Sequence, residues 1–536
     1  MPIASNSYVH VLYDLKNVSV MSDSKRKEIL ILILCLLIGF ALRFYTFDRK
    51  SLWMDEIHTF NDSRYGFKDQ LKFYQERPNY LHPPLFFILT HLFYPFTKPE
   101  RDLRIIPLIF GTLSIIVIYF LARLFSPRIA FPCAFSLTIM AYHISISQDG
   151  RSYALLMFLG LTGLFFFVKH LQTSKWGFLI PAALFFAILF HASYSSIPFI
   201  IFSQTLWFYD IQGEKRRPSF YPFLIFNGFL LLFCLPWLLF IAVHYYKGRA
   251  LIDLFHGEGV GSLGGIFYGI FHDWAPHPPL LIISLILMFL YPIFSRRRKN
   301  ALILLAIFVI PIVGIYTYCK LFSITHFITS RYFIIFLPLF FITLYLGLED
   351  IESRFQGLKG FIRLKFLFTF LFIASNLIVL PSYYRSEKQD FRGLVGYLKE
   401  HLRAGDKIFD LETSSTLGML HYFGAKPEGR HFILDSLKPT EEGLEYTKSF
   451  IYQGRKFVIY HSKDCCSRYR EKGSRLWIVA GTEAAKSLAG DASFVPKAYF
   501  DGSFSNFGGF PTDVSMHLFL WDPESRNEKG IDLRME

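Results

Sequence analysis

The chain has 536 residues, of which 52% are hydrophobic, 18% aromatic and only 18% charged, with 62 Phe and a mean hydropathy of +0.35. Soluble proteins carry about a quarter charged residues, so a string of soluble domains, a disordered chain, a collagen and a disulfide-stapled secreted fold are excluded in favour of a membrane protein. The 56 Lys and Arg exceed the 42 Asp and Glu by 14, but most basic residues lie in short loops between apolar segments, where membrane orientation requires them; no nucleic-acid partner is implied.

In chain order, residues 1–24 are polar and carry no cleavable signal; Met21, just ahead of Ser-Asp-Ser-Lys-Arg-Lys, is an alternative start. Lys25, Arg26 and Lys27 precede the first apolar span, 29–46, and place the N-terminus in the cytoplasm. Ten more spans follow at 104–124, 129–147, 153–171, 177–191, 195–209, 220–243, 279–294, 301–319, 332–348 and 363–381, eleven in all. Leu85–Phe96 is apolar but too short to cross the ~30 Å core. If it does not cross, the clusters Arg123/Arg128, Lys215-Arg216-Arg217 and Arg296-Arg297-Arg298-Lys299 all face the cytoplasm; if it does, all face outward. The positive-inside rule selects a re-entrant or interfacial segment and puts the C-terminus outside.

After Pro381 charge rises and apolar runs shorten. Phe391–Leu402 reads as an amphipathic helix, and 407–411, 432–434, 457–460, 476–480 and 516–521 as strands. The expected architecture is thus an all-α polytopic membrane domain of about eleven helices at 25–384, with a long external loop at 47–103, and a small extracytoplasmic α/β domain at 385–536. Of six Cys, Cys35, Cys133, Cys234 and Cys319 lie in apolar segments as small hydrophobes, and Cys465 and Cys466 are adjacent; no disulfide framework follows.

Chemistry-bearing residues gather in the external loops. The first loop opens on Trp53-Met54-Asp55-Glu56, either a solvated acid pair beside an interfacial Trp or a general base with a neighbour that orients substrate or binds metal. It closes on His82-Pro83-Pro84-Leu85, a helix start or a rigid mount that aims His82 at a headgroup anion. Gln148-Asp149-Gly150-Arg151-Ser152-Tyr153 lies between spans three and four, on the same face by parity. The loop from Lys320 through His326 to Ser330-Arg331-Tyr332 lies there too, and Arg331 suits a phosphate as well as an interfacial anchor. No phosphate-binding Gly-rich loop or Cys/His metal motif occurs.

These motifs, together with Leu103-Arg104-Ile105-Ile106-Pro107, cover about residues 25–350. In order and spacing they resemble the GT-C superfamily of membrane glycosyltransferases, the group of the protein O-mannosyltransferases, the lipid A aminoarabinose transferases and related lipopolysaccharide sugar transferases. The resemblance implies a polyprenyl-phosphate-linked sugar as donor, an extracytoplasmic acceptor, and residence in the plasma (inner) membrane. It implies Asp55 as general base, Glu56 as its paired acid and Asp149 as a second-loop carboxylate of the site. Arg151, Tyr153, His326, Arg331 and Tyr332 fall among the substrate-binding motifs, and His82 stands where some relatives carry a phosphate-touching Lys. Some relatives hold a divalent metal near these acids, which here would be Asp55, Glu56 and Asp149. A non-catalytic lipid-sugar flippase is the alternative class, and a protein O-mannosyltransferase the nearest rival among enzymes.

Span parity yields a direct test. A reporter fused after Ser295 reports the cytoplasm and one fused after Tyr384 the exterior; the same side for both would remove the common face shared by the motif loops.

Overall fold

A computed structural model describes residues 23–76, 82–210, 220–252, 261–321, 329–354, 363–411, 415–425, 438–440, 443–461, 475–502, 514–524 and 530–531. His326 and the expected strand at 432–434 lie outside the described residues, as do most of the N-terminal segment, Cys465 and Cys466.

Every apolar stretch read as a span folds as helix, because a backbone in lipid must satisfy its polar groups within the segment. Length sorts them. Among the described residues six are long and apolar enough to cross a membrane: Pro99–Phe125, Tyr153–Thr173, Phe220–His244, Arg298–Leu321, Ser330–Arg354 and Leu364–Arg385. Two bent pairs, Pro127–Ile139 with Ala141–Ser147 (61°) and Leu263–Trp274 with Pro278–Phe294 (110°), raise the number to eight if each is one span. The other three expected spans take different forms. Asp23–Phe44 begins in a cluster of charge, Trp176–Ala192 has 17 residues, and 195–209 divides into the short pieces Tyr194–Ser196, Ile197–Ser203 and Gln204–Phe208. Apolarity alone does not distinguish a continuous helix from a broken one, so length and composition of the described residues give six to eight spans where the sequence reads eleven.

Burial separates the centre of the bundle from its rim. In an apolar 18-residue stretch of each helix, 89% of residues are buried in Ser330–Arg354 and 78% in Tyr153–Thr173, but only 17% in Phe220–His244, which presents Leu231, Leu232 and Leu239 outward. Leu85–His91 is a seven-residue helix about 10 Å long, in keeping with a segment that does not span.

The break at Met140 positions the site. There ψ is 111°, and the helix restarts at Ala141. Asn376 Oδ1 accepts the freed Ala141 N–H at 2.9 Å. The fully buried Arg43 donates to the carbonyls of Leu137 and Thr138 at 2.8 and 3.0 Å, and lies 2.8 Å from His143 Nδ1. Unmet groups in lipid cost several kcal/mol each, so these partners make the break tolerable. The second half-helix ends at Gln148. Its Nε2 donates to the carbonyls of Arg43 (2.8 Å) and Tyr45 (2.6 Å), and its Oε1 accepts from Tyr383 Oη (2.7 Å). Asp149 follows immediately.

The C-terminal part forms a seven-stranded sheet of β1 (Lys407–Asp410), β2 (Lys438–Thr440), β3 (Gly443–Tyr452), β4 (Arg455–His461), β5 (Leu476–Ala480), β6 (Val495–Phe500) and β7 (Met516–Trp521). The order is β2-β3-β4-β1-β5-β7-β6, with β1 parallel to β4 and β5 and the remaining pairs antiparallel. β1, β4, β5 and β7 match the sequence expectation. β2 and β6 contain Pro439 and Pro496 and lie at the two edges, the place where a residue without an N–H is tolerated. Helices Phe391–His401 and Ser415–Phe423 pack with the sheet, and the core they form also encloses Leu52, Ile57 and Leu103 from the first external loop. Tyr422 Oη accepts from Leu52 N at 2.7 Å and donates to Glu100 Oε1 at 2.9 Å, and Arg392 reaches the same oxygen at 2.7 Å. Loop and sheet thus form one packed unit.

The half-helix that carries Gln148 also sits tightly against Ile105–Phe125. A Cβ on Gly111 would fall 2.1 Å from Ser147 Oγ and 2.7 Å from its Cβ. Gly111→Ala therefore costs about 1–3 kcal/mol by overpacking, read as a lower melting temperature in detergent, and Ser147→Gly added to it recovers most of the loss.

Candidate active site

The helix Met54–Asp62 begins after an extended Trp53, and Glu56 at its third position reaches back to accept from Trp53 N at 3.3 Å, the glutamate half of a capping box, since an indole cannot accept in return. Asp55 and Glu56 in the first turn suit the positive end of the helix. Neighbours on a helix point about 100° apart, so the two acids part company.

Glu56 turns inward and is fully buried. Arg104 grips it with both edges, Nε to Oε1 at 2.7 Å and Nη2 to Oε2 at 2.6 Å, and Gly150 N donates to Oε1 at 2.6 Å. Arg104 also donates to the carbonyls of Phe47, Lys50 and Ser51, each at 3.0 Å. Burial pushes the Glu56 carboxyl up, but Arg104 outweighs it and holds the group below its ordinary value. Gly150 is needed for this approach, since a Cβ there would stand 3.1 Å from Glu56 Oε1 and from Leu103 Cβ. Glu56 therefore ties the first loop to the second.

Asp55 turns outward and keeps a partly exposed carboxylate beside two guanidiniums, 3.3 Å from Arg331 Nη1 and 4.0 Å from Arg151 Nε. Arg151 Nη1 is fixed by the carbonyl of Asp55 and by Thr59 Oγ1, both at 3.1 Å. Arg331 leans on aromatic rings, 5.2 Å from the centroid of Trp53, 5.8 Å from Tyr332 and 6.0 Å from Tyr153. Its Nε is buried and makes no hydrogen bond among the described residues. The preceding Ser330 is anchored through its hydroxyl to Asp273 and Tyr142. His82 is exposed, with Arg151, His58 and Asp55 as its charged neighbours.

Asp149 is buried, and burial raises its pKa although Lys388 opposes the shift. Trp53 Nε1 donates to Oδ1 at 2.9 Å and Lys388 Nζ lies 3.2 Å from Oδ2. Lys388 also stands 5.2 Å from the Trp53 ring, so Trp53 is shared by two cations and a carboxylate. Close by, Lys50 donates to the carbonyls of Tyr383 and Ser386, and burial, with Lys388, brings its pKa down to about 7. Gln389 Oε1 accepts from Met54 N at 2.9 Å and Glu387 Oε2 from Ser51 N at 3.0 Å, so the segment after the last helix clasps the start of Met54–Asp62.

The loops thus bring Asp55, Arg151, Tyr153, Arg331 and Tyr332 together, with His82 beside them, Asp149 joined through Trp53, and Glu56 set behind. Sequence reasoning gave no role to Arg104, Gln148 or Lys388 and read Trp53 as an anchor. Lys388 lies in a stretch where charge is common and nothing marks it; Arg104 stood in a quoted motif, and its place at the buried start of a span was the available signal. Among the described residues no group of three His, Cys, Asp or Glu could hold a metal ion. Each of the three acids is turned to a cation, so the donor set does not fit a resident divalent metal and no step is routed through one. What the arrangement offers is a partly exposed carboxylate next to two guanidiniums in an aromatic frame, suited to an anion and to a proton-donating hydroxyl.

Residues 81–240 match the family described as dolichyl-phosphate-mannose-protein mannosyltransferase. The fold is similar to that of ArnT from Cupriavidus metallidurans in the apo state, with a TM-score of 0.51 at 12% identity over 93% of this chain and 98% of that one. The same protein bound to undecaprenyl phosphate aligns at 11% identity over 94% and 99%, with a TM-score of 0.46. No curated protein matches in sequence.

The Glu56–Arg104 pair sets an expected outcome for stability. Arg104→Met strands a buried carboxylate and costs about 3–5 kcal/mol; adding Glu56→Leu recovers part of it, the carbonyls left by Arg104 accounting for the rest. Because the folded Glu56 carboxyl titrates below its ordinary value, near 4.3, its contribution is present above that value and is lost as pH falls through the depressed one. Acid melting curves of the wild type therefore lose this increment below about pH 4, and the double variant has none to lose.

Proposed function

Because the chain has the fold of the GT-C membrane glycosyltransferases, we propose that it transfers a sugar from a polyprenyl-phosphate carrier to an acceptor on the outer face of the plasma membrane. The observation that carries this reading is the partly exposed Asp55 flanked by Arg331 and Arg151, at the mouth of a bundle whose spans end there. In this reading residues 25–384 form the membrane part and 385–536 the external part. The description of the family matched by residues 81–240 supports the same reaction class, a glycosyl transfer from a lipid phosphate.

The donor's phosphate lies at headgroup depth, where its oxygens take the guanidinium bonds that Asp55 now receives. Arg331 can hold two phosphate oxygens at once, and its Nε, which makes no hydrogen bond among the described residues, is a donor in hand. Released from the arginines, Asp55 accepts the proton of an acceptor hydroxyl as that oxygen bonds to the anomeric carbon. The bond from this carbon to the phosphate oxygen breaks with its electron pair staying on the phosphate, whose growing charge Arg331 and Arg151 stabilise. A single displacement of this kind inverts the anomeric carbon. In this scheme Glu56 and Asp149 are positioning residues, which act through Arg104 and Gly150 and through Trp53 and Lys388.

Purified protein supplied with a labelled polyprenyl-phosphate sugar and a membrane glycan extract tests the scheme. Asp55→Asn is expected to lose roughly 10²–10⁴-fold in turnover while it still binds donor, and Arg331→Ala to lose about ten- to a hundredfold in donor affinity, with Arg331→Lys between. Near-normal turnover in Asp55→Asn would remove Asp55 from the mechanism, and unchanged donor affinity in Arg331→Ala would return Arg331 to an anchoring role.

A further inference from the structure

A cavity of about 260 Å³ lies between the first external loop and the C-terminal sheet unit, away from the carrier-phosphate residues. One wall is Phe60, Arg64, Tyr94 and Phe96; the other is His421 and the chain at Gly424. It is smaller than the roughly 300–1,000 Å³ of sites that enclose a drug-sized ligand, so it suits one ring and not a long chain. Its surfaces are aromatic. Phe60 packs against Phe96 at 5.4 Å and edge-on to His421 at 4.8 Å, Tyr94 stands edge-on to Phe96 at 5.9 Å, and the Tyr94 ring is 49% exposed.

The polar groups around it differ in kind. Arg64 lies over the Phe60 ring at 5.8 Å and among the described residues makes no ion pair. Burial, reinforced by Arg64 against Glu100, brings the His421 imidazole down to about 4, so at neutral pH it offers one donor and one acceptor. The walls are held in register by Tyr422 and Arg392 on Glu100 and by Tyr422 on Leu52 N. Phe60 stands five residues beyond Asp55 on one helix, about 7–8 Å along its axis and about 140° around it, so the cavity and the Asp55 carboxylate face different sides of that helix.

An aromatic face with a negative quadrupole attracts the slightly positive C–H face of a pyranose. A neutral imidazole serves hydroxyls of either polarity, and a guanidinium without a carboxylate calls for an anion. We propose that this cavity is an outlying acceptor subsite, and that it takes one sugar ring of the acceptor glycan, distinct from the ring whose hydroxyl reaches Asp55, bearing a single anionic substituent, a phosphate or a carboxylate. This rests on the glycosyl-transfer reading and deepens it. The ring is held by the exposed Tyr94 beside the packed Phe60, and its charge is read by Arg64.

Saturation-transfer NMR of the full-length protein in nanodiscs tests this with three probes: glucose 1-phosphate, glucuronate and glucose. The two anionic sugars are expected to receive saturation on their ring protons more strongly than glucose, and whichever of them is favoured identifies the substituent. Arg64→Gln brings the favoured sugar down roughly tenfold, toward glucose, Arg64→Lys falls between, and Tyr94→Ala removes the ring signal for all three while Tyr94→Phe keeps it. Equal response to the three sugars, no response to any, or indifference to both Arg64→Gln and Tyr94→Ala overturns the assignment. So does loss of the signal in Arg331→Ala, which would place the sugar in the donor site. A separate titration with a short-chain polyprenyl phosphate keeps the two readings apart. If the glycosyl-transfer reading fails, the lipid titration fails in the wild type whatever the sugars do; if only the cavity assignment fails, the lipid binds normally and the sugar arms do not discriminate.

Discussion

One buried ion pair holds the rest of the site in place. Arg104 stands at the start of a long span, and its guanidinium gathers Glu56 from one loop and the carbonyls of Phe47, Lys50 and Ser51 from the turn before it, while Glu56 in turn takes Gly150 N from another loop. Such a pair is weak evidence for net stability, because desolvation offsets much of its attraction. Its value here is geometric. One planar fork, whose bond directions cannot be redistributed, fixes the stretch 47–56 to the start of the span, and Glu56 passes the tie on to Gly150. Asp55 rides on that arrangement: with Glu56 locked inward, the helix turn leaves Asp55 only the outward direction.

The polar inventory around this pair is graded by depth. Deepest are groups that complete backbone, such as Arg43 and Asn376 at the Met140 break. Next come those that join loops, Glu56 with Arg104 and Asp149 with Trp53, the latter met from the outer layer by Lys388. Outermost are Asp55, Arg151 and Arg331, with side chains 21–29% exposed. Carboxylates and cations of similar composition thus do different work according to how much water reaches them, and only the outer group can exchange a protein partner for a ligand.

How much of this was readable in the sequence depends on the kind of signal. Membrane class, the helical nature of each apolar stretch and the four strands β1, β4, β5 and β7 follow from composition and periodicity, which are local. Span parity also set the loops of Asp55, Asp149 and Arg331 on one face before any coordinates. Side-chain direction was not readable, since Asp55 and Glu56 are adjacent and alike and only the helix phase parts them. Nor was the break at Met140: no Gly or Pro marks it, and the residue that makes it tolerable, Asn376, lies 235 positions from Ala141. Edge strands β2 and β6 escaped because their prolines contradict strand propensity, and Lys388 because its neighbours are equally polar.

The same long-range pairing governs how the bundle can be assembled. Arg43 leaves the ribosome early, on the first helix, but the carbonyls and imidazole that receive it are 94 to 100 residues downstream. Arg43 stands in the last turn of that helix, so before its partners arrive its guanidinium can reach for the nearby interface along its own stem. The half-helices around Met140 face a similar wait for Asn376 on the last helix. The first helix is therefore placed provisionally, and the kinked pair stays unfinished until the final apolar segment has been inserted. The geometry around Asp55 and Asp149, resting on Gln148 at the end of that pair, is then among the last features of the membrane part to form during biogenesis, and a nascent chain arrested before residue 376 lacks the partner that completes it.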